Sequence, residues 1–283
     1  MLWQGRRASG NVEDRRGMSA GGIAIGGGLI GAIFLVVKFL LGGGDPSELP
    51  QQFPQTQEAQ TLSPEEQAKD DERAKFVGVV LADTEDAWRE VFGKMGKQYA
   101  EPTLVLFRGT TESGCGYASS ASGPFYCPSD GKLYIDLSFH QELQERFSAP
   151  GDFPMAYVVA HEVGHHIQNL LGLTEKMARL RQQLSEGEYN KYSVKLELQA
   201  DFFAGVWAHY EKNKNLLHAD DIEEAMAAAA AIGDDRLQKQ SQGYVVPESF
   251  THGTSQQRVY WFMKGYQTGD VTQGNTFDDP SLN

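Results

Sequence analysis

The sequence predicts an α+β protein: a mostly helical domain with a small β-sheet, behind one N-terminal transmembrane helix. Three observations point there. Residues 22–41, GIAIGGGLIGAIFLVVKFLL, are almost continuously apolar. Two short stretches, PTLVLFRG (102–109) and KLYIDLSF (132–139), are rich in β-branched and aromatic residues and flanked by turn formers, the pattern of strands. From residue 139 onward apolar residues recur at helical spacing through most of the chain.

Residues 1–20 are polar, charged and glycine-bearing, and disorder is expected there. The apolar run is just long enough to cross a hydrocarbon core of roughly 30 Å as a helix, placed at 21–42, with Lys38 near its end able to snorkel. A cleaved signal peptide is the alternative, although its apolar region is normally shorter, about 7 to 15 residues. Arg6, Arg7, Arg15 and Arg16 precede the run and Asp45 and Glu48 follow it, so the positive-inside bias puts the N-terminus in the cytoplasm and the body outside it. Residues 43–62, dominated by Gly, Pro and Gln, form a linker.

The folded domain is expected over 63–269. At its start SPEE offers a capping Ser63, a proline at the first helical position and Glu66 three residues after the cap. Phe76, Val77, Val80 and Leu81 give that helix an apolar face, and a second helix after Asp83 is read from Trp88, Val91, Phe92 and Met95. Further helices are expected at 139–147, 154–171, 174–185, 189–212, 220–232 and 254–266. Residues 270–283 read as a flexible tail. The strand KLYIDL, lying before the helix expected at 154–171, is a candidate edge for binding an extended peptide backbone.

A net charge of -13 and a pI near 5.0 argue against a nucleic-acid partner, which demands clustered Lys and Arg. The two cysteines, Cys115 and Cys127, flank a short Gly- and Ser-rich loop that can close into a disulfide in an oxidising compartment. Two free buried thiols are the other reading. A zinc site is disfavoured, because the spacing lacks a close Cys pair.

The segment AYVVAHEVGHHIQNLLG (156–172) carries the chemistry. On a helix, His161 and His165 project from one face, so their imidazoles can meet at one point with Glu162 at its rim. In the arrangement H-E-x-x-H, two neutral imidazoles bind Zn2+ and the glutamate acts as general base on a zinc-activated water, then returns the proton to the leaving amine. Chance produces this pattern in about one chain per hundred. His166 lies about 100° around the helix and is read as structural.

A catalytic zinc needs a third protein ligand and one open position. KLELQADFFAGVWAHY supplies Glu197 and, four residues on, Asp201, embedded in an otherwise apolar helix. Glu197 is assigned as third ligand and Asp201 as the acceptor that fixes the tautomer of a ligating histidine. The bland alternative is a solvated acidic face, or pairing with Lys195.

HEVGHHIQ followed by ELQADFFAGVWA resembles the gluzincin pattern. With WQGRR, NVEDRRG, GPFYCPSDGKLYIDLSF and THGTSQQRVYWFMKGY, the chain as a whole resembles the bacterial putative neutral zinc metallopeptidase family of membrane-anchored proteins. The resemblance implies a zincin-like fold with a strand-bearing upper part and a helical lower part, a zinc metalloendopeptidase acting on peptide or protein substrates, and a single-pass protein of the bacterial inner membrane with a periplasmic catalytic domain. His252 and Arg258 resemble the late His and Arg of related gluzincins. This makes His252 a candidate oxyanion donor and Arg258 a partner for Asp201 or Glu197; an ordinary helix-start loop is the alternative. A non-hydrolytic, membrane-tethered zinc-binding module is the competing functional class.

Overall fold

The computed structural model describes residues 1–17, 62–147, 149 and 151–282. The expected transmembrane helix at 21–42 and all but the last residue of the 43–62 linker lie outside the described residues. No helix among those described is long and apolar enough to cross a membrane. Residues 1–17 and 68–283 form one compact unit.

A four-stranded sheet is built from β1 (Val12–Asp14), β2 (Thr103–Phe107), β6 (Lys132–Asp136) and β5 (Phe125–Cys127), in the order β1-β2-β6-β5. β1, β2 and β6 run parallel, and β5 is antiparallel to β6. Both faces are covered. Leu104, Leu106, Leu133 and Ile135 join the main core, whereas Val105, Phe107, Tyr134 and Cys127 form a second cluster behind it. That is why TLVLF reads as a continuous apolar run rather than an alternating one. β6 lies between β2 and β5, so KLYIDL is not an edge, and β5 takes that position. A hairpin of β3 (Thr110–Ser113) and β4 (Gly116–Ser119) projects between β2 and β5, and the Cys115–Cys127 disulfide ties it to β5.

Where disorder was expected at the N-terminus, residues 1–17 are instead part of the folded unit. β1 joins the sheet, with the Arg15 amide donating to the Leu106 carbonyl and the Leu104 amide donating to the Asn11 carbonyl. Trp3 is buried edge-on against Phe76. The arginines explain the order. Arg6 grips Asp83 with both terminal nitrogens, Arg7 meets Glu85 and Asp86, and Arg16 meets Asp70. Asp70, Asp83 and Glu85 are 1–3% exposed, and stripping a buried carboxylate of its partner costs about 3–5 kcal/mol.

Those carboxylates lie on α1 (Pro64–Lys94), one continuous helix rather than the two expected. Asp83 does not begin a new helix because its side chain is claimed by Arg6, and Thr84 folds its hydroxyl back to the Leu81 carbonyl. At the helix start the capping box forms as read, with Ser63 and Glu66 exchanging hydrogen bonds.

The helical part comprises α2 (Phe139–Glu145), α3 (Phe153–Leu170), α4 (Leu173–Gln183), α5 (Glu186–Asn213), α6 (Asp221–Ala231), α7 (Asp234–Gln242) and α8 (Ser255–Thr268). α5 begins three residues before its expected start, where Ser185 and Glu188 make a second capping box. The polar α7 lacks an apolar stripe and escaped the sequence reading. The expected flexible tail packs on α5: Thr276 is fully buried and donates to the Lys195 carbonyl.

Two close approaches set the geometry. A Cβ on Gly164 of α3 would lie 2.9 Å from the Ala200 carbonyl oxygen of α5, so α3 and α5 touch backbone to backbone. At the α5–α8 crossing a Cβ on Gly205 would lie 2.0 Å from the Phe262 carbonyl oxygen, and one on Gly265 2.1 Å from the Phe202 carbonyl oxygen, so both positions need glycine.

Candidate metal centre

The Gly164–Ala200 contact brings the two sequence motifs face to face. His161 and His165 stand one turn apart on α3, their rings perpendicular with centroids 4.8 Å apart. Across from them, on α5, one Glu197 oxygen lies 3.2 Å from His161 Nε2 and the other 3.4 Å from His165 Nε2. One ligand atom from each of the three lies within 4.8 Å of the others. Lys195, the alternative partner for the acidic pair, is buried elsewhere and donates to the Phe277 carbonyl.

Each histidine has its other nitrogen committed. His161 Nδ1 donates to Asp201 Oδ1 at 2.8 Å, because a carboxylate can only accept. His165 Nδ1 meets Gln168 Oε1 at 2.9 Å. The orientation of that amide follows from its other end, since Gln168 Nε2 donates to the Leu196 carbonyl at 2.7 Å. Both imidazoles therefore carry hydrogen on Nδ1, which leaves Nε2, the nitrogen facing Glu197, as the one that can bind a metal. A His2Glu set with both tautomers fixed fits a tetrahedral zinc with one position left for water or substrate.

Gln168 was missed in the sequence, where it reads as one more polar residue on the helix. Its support reaches further: Gln168 also donates to Gln199 Oε1, and Gln199 donates to the Gly274 carbonyl of the tail. The C-terminal residues thereby brace His165. Tyr157 was missed too. Its hydroxyl donates to Asp201 Oδ1 at 2.5 Å, and it lies on α3 one turn before His161.

Arg258 takes Asp201 rather than Glu197, with Nε 2.8 Å from Oδ2 and a terminal nitrogen 3.0 Å from Oδ1. Burial opposes charge on Asp201, but Arg258 and His161 overcome it and hold the carboxylate at about 2. Burial likewise opposes protonation of His161, and Asp201 and Glu197 outweigh it, raising the group to about 10 without an ion. Glu197 is held well below its usual range against its burial, chiefly by His165 and His161. Such a cluster of acceptors attracts a cation.

Glu162 is buried beside His161 and adds to the negative field on His165. His252 precedes α8 and is half exposed. Its Nδ1 lies 3.3 Å from Asp234 Oδ1 and 2.9 Å from the Thr251 hydroxyl. That contact with Asp234 raises its pKa, and Glu197 lies within electrostatic reach without a direct hydrogen bond among the described contacts. His166 is structural: its Nε2 donates to the Ala100 carbonyl at 2.6 Å, so its Nδ1 accepts from the Tyr126 hydroxyl at 3.1 Å. Asn169 donates to the same hydroxyl, and together they pin β5 to α3.

A histidine pair on α3 and a glutamate on α5, with both histidines steadied from behind, form a group that could hold a metal ion, in an HExxH arrangement within an α+β fold. The chain belongs to the family described as "Putative neutral zinc metallopeptidase", whose model matches residues 1–277. It is 52% identical to "Uncharacterized protein YpfJ" of Escherichia coli (strain K12), over 98% of this chain and 99% of that protein. It is 43% identical to "Uncharacterized protein Rv2575" of Mycobacterium tuberculosis (strain ATCC 25618 / H37Rv), over 74% of this chain and 73% of that protein. A third relative, "Uncharacterized protein Mb2605" of Mycobacterium bovis, shows the same identity and coverage. No solved structure matches the chain.

Proposed function

We propose that the protein is a zinc-dependent metalloendopeptidase that hydrolyses peptide bonds, with His161, His165 and Glu197 as zinc ligands and Glu162 as general base. The observation that carries this reading is the convergence of the three donor atoms with both histidine Nδ1 atoms already engaged by Asp201 and Gln168. Bound there, zinc would supply Lewis acidity and bring the pKa of water to about 7.

The chain's own residues do the rest. Glu162, one position after His161 on the rigid α3, takes the proton from the attacking water and hands it to the leaving amine. His252, whose contact with Asp234 favours the protonated ring, donates to the oxyanion that develops on the scissile carbonyl. Asp201, Arg258 and Tyr157 hold the first histidine in place. β5, pinned to α3 through Tyr126, offers its outer edge to an extended substrate backbone.

Glu162→Gln is the decisive variant. Zinc content and thermal unfolding should stay as in the parent, while cleavage of a generic unfolded protein should fall by about 10²- to 10⁴-fold. Undiminished cleavage by the purified variant sinks the mechanism. A chelator separates catalytic zinc from the non-hydrolytic alternative: activity should vanish with the fold retained, whereas a structural zinc would take the fold with it.

Attachment to a membrane through the apolar run 22–41, with the domain in an oxidising, extracytoplasmic space, is also part of this reading. It is supported by the run itself and by the Cys115–Cys127 disulfide. The N-terminal arginines no longer argue for orientation, since their charges are engaged within the fold.

A further inference from the structure

The segment before the apolar run and the domain after it form one folded body. We propose that residues 1–17 and the metal-site domain occupy the same compartment, on one side of any membrane that the protein meets. This stands independently of the proposed catalysis.

The contacts are of a kind that cannot be made across a bilayer. β1 is hydrogen-bonded to β2 in parallel register, Val12 opposite Leu104 and Asp14 opposite Leu106. Trp3 packs in the main core. Ser9 and Asn11 both donate to Glu85 Oε1, and Lys132 of β6 reaches Glu13 of β1 at 2.5 Å. Three buried carboxylates of α1, Asp70, Asp83 and Glu85, meet arginines from this segment. Placed on the far side of a membrane, residues 1–17 would leave an open edge on β2, a hole where Trp3 sits and buried carboxylates short of their cationic partners.

The four arginines, which in sequence look like a topology signal, serve the fold: three bind acidic side chains of α1, and Arg15 binds Glu13 within the segment.

The test uses the full-length chain in its own membranes. Gly10 and Gly187 are exposed, and a side chain at either meets nothing within 4 Å, so Gly10→Cys and Gly187→Cys each add an accessible thiol without disturbing packing. A membrane-impermeant maleimide should modify both positions in intact spheroplasts, or both only after permeabilisation, read peptide by peptide in separate single variants. Modification of one before permeabilisation and of the other only after it overturns the proposal. A second measurement needs no substitution. A zero-length carbodiimide should join Glu13 to Lys132 in unsolubilised membranes to the same extent as in detergent. A crosslink that forms only after solubilisation overturns the proposal.

Discussion

Arg258 and Asp201, 57 residues apart in sequence, form a doubly hydrogen-bonded ion pair in the interior, 2% and 0% exposed, directly behind the first histidine of the HExxH motif. Asp201 Oδ1 is shared among Arg258, Tyr157 and His161 Nδ1, so one carboxylate oxygen orients the ring and neutralises the guanidinium together. Replacing Asp201 by Asn leaves the arginine uncompensated and removes the charge behind the imidazole. Zinc affinity should fall by about 10- to 100-fold, and stability by about 3–5 kcal/mol. Competition with a chromophoric chelator and thermal unfolding measure the two effects; an unchanged affinity would mean that Asp201 supports the fold alone.

Gln168 does for His165 what Asp201 does for His161, without a charge. Gln168→Leu keeps the volume and breaks the bonds to His165, to the Leu196 carbonyl and to Gln199. Zinc should be held about 10-fold more weakly, with a smaller loss of stability than in Asp201→Asn, because no buried charge is orphaned. A chelator titration showing parent affinity would remove Gln168 from the site.

Gly164→Ala tests the close approach itself. Its Cβ would stand 2.9 Å from the Ala200 carbonyl oxygen and 3.0 Å from Ala200 Cα, both backbone atoms that a side-chain movement cannot relieve. The helices must separate, which should cost about 1–3 kcal/mol and loosen the metal site with it. Denaturant unfolding beside metal titration checks this; a variant of parent stability would show that the helix pair has slack.

Asp83 makes stability depend on pH. Burial, the nearby Glu211 carboxylate and only partial relief from Arg6 and Lys214 raise its pKa from 3.8 to about 7. A raised carboxyl binds a proton more tightly when folded than when unfolded. Its contribution is therefore favourable below about pH 4 and is lost as pH rises toward 7. Asp83→Asn should flatten that part of the profile by on the order of 2 kcal/mol relative to the parent, and the difference should not change further above pH 8. Parallel profiles for the two proteins across pH 4–7 would refute the assignment.

Local chemistry made much of this legible. The HExxH spacing, the carboxylates four residues apart in ELQAD, and the capping Ser63 with Glu66 are short-range patterns, and each lies on a helix, or at its start, where it was read. What escaped depends on partners distant in sequence. Asp83 resembles a helix start until Arg6 claims it, and KLYIDL resembles an edge until β5 pairs with its free side. Gln168 looks ordinary until the Leu196 carbonyl decides which way its amide faces. The N-terminal segment and the tail read as disordered because each is polar by composition. Their order comes from surfaces on α1, β2 and α5, to which local periodicity is blind.

By itself, then, the sequence determined that His161 and His165 share one helix face and that Glu197 and Asp201 share another, because side-chain spacing on a helix follows from its 3.6-residue turn. Tertiary structure alone decided that Asp201 rather than solvent meets His161, that Arg258 chooses Asp201 over Glu197, and that residues 1–17 belong to the domain. Each of these depends on where backbones touch: Gly164 on Ala200, Gly205 on Phe262, and β1 beside β2. Such contacts join residues tens of positions apart, and they are settled by close packing in the folded core.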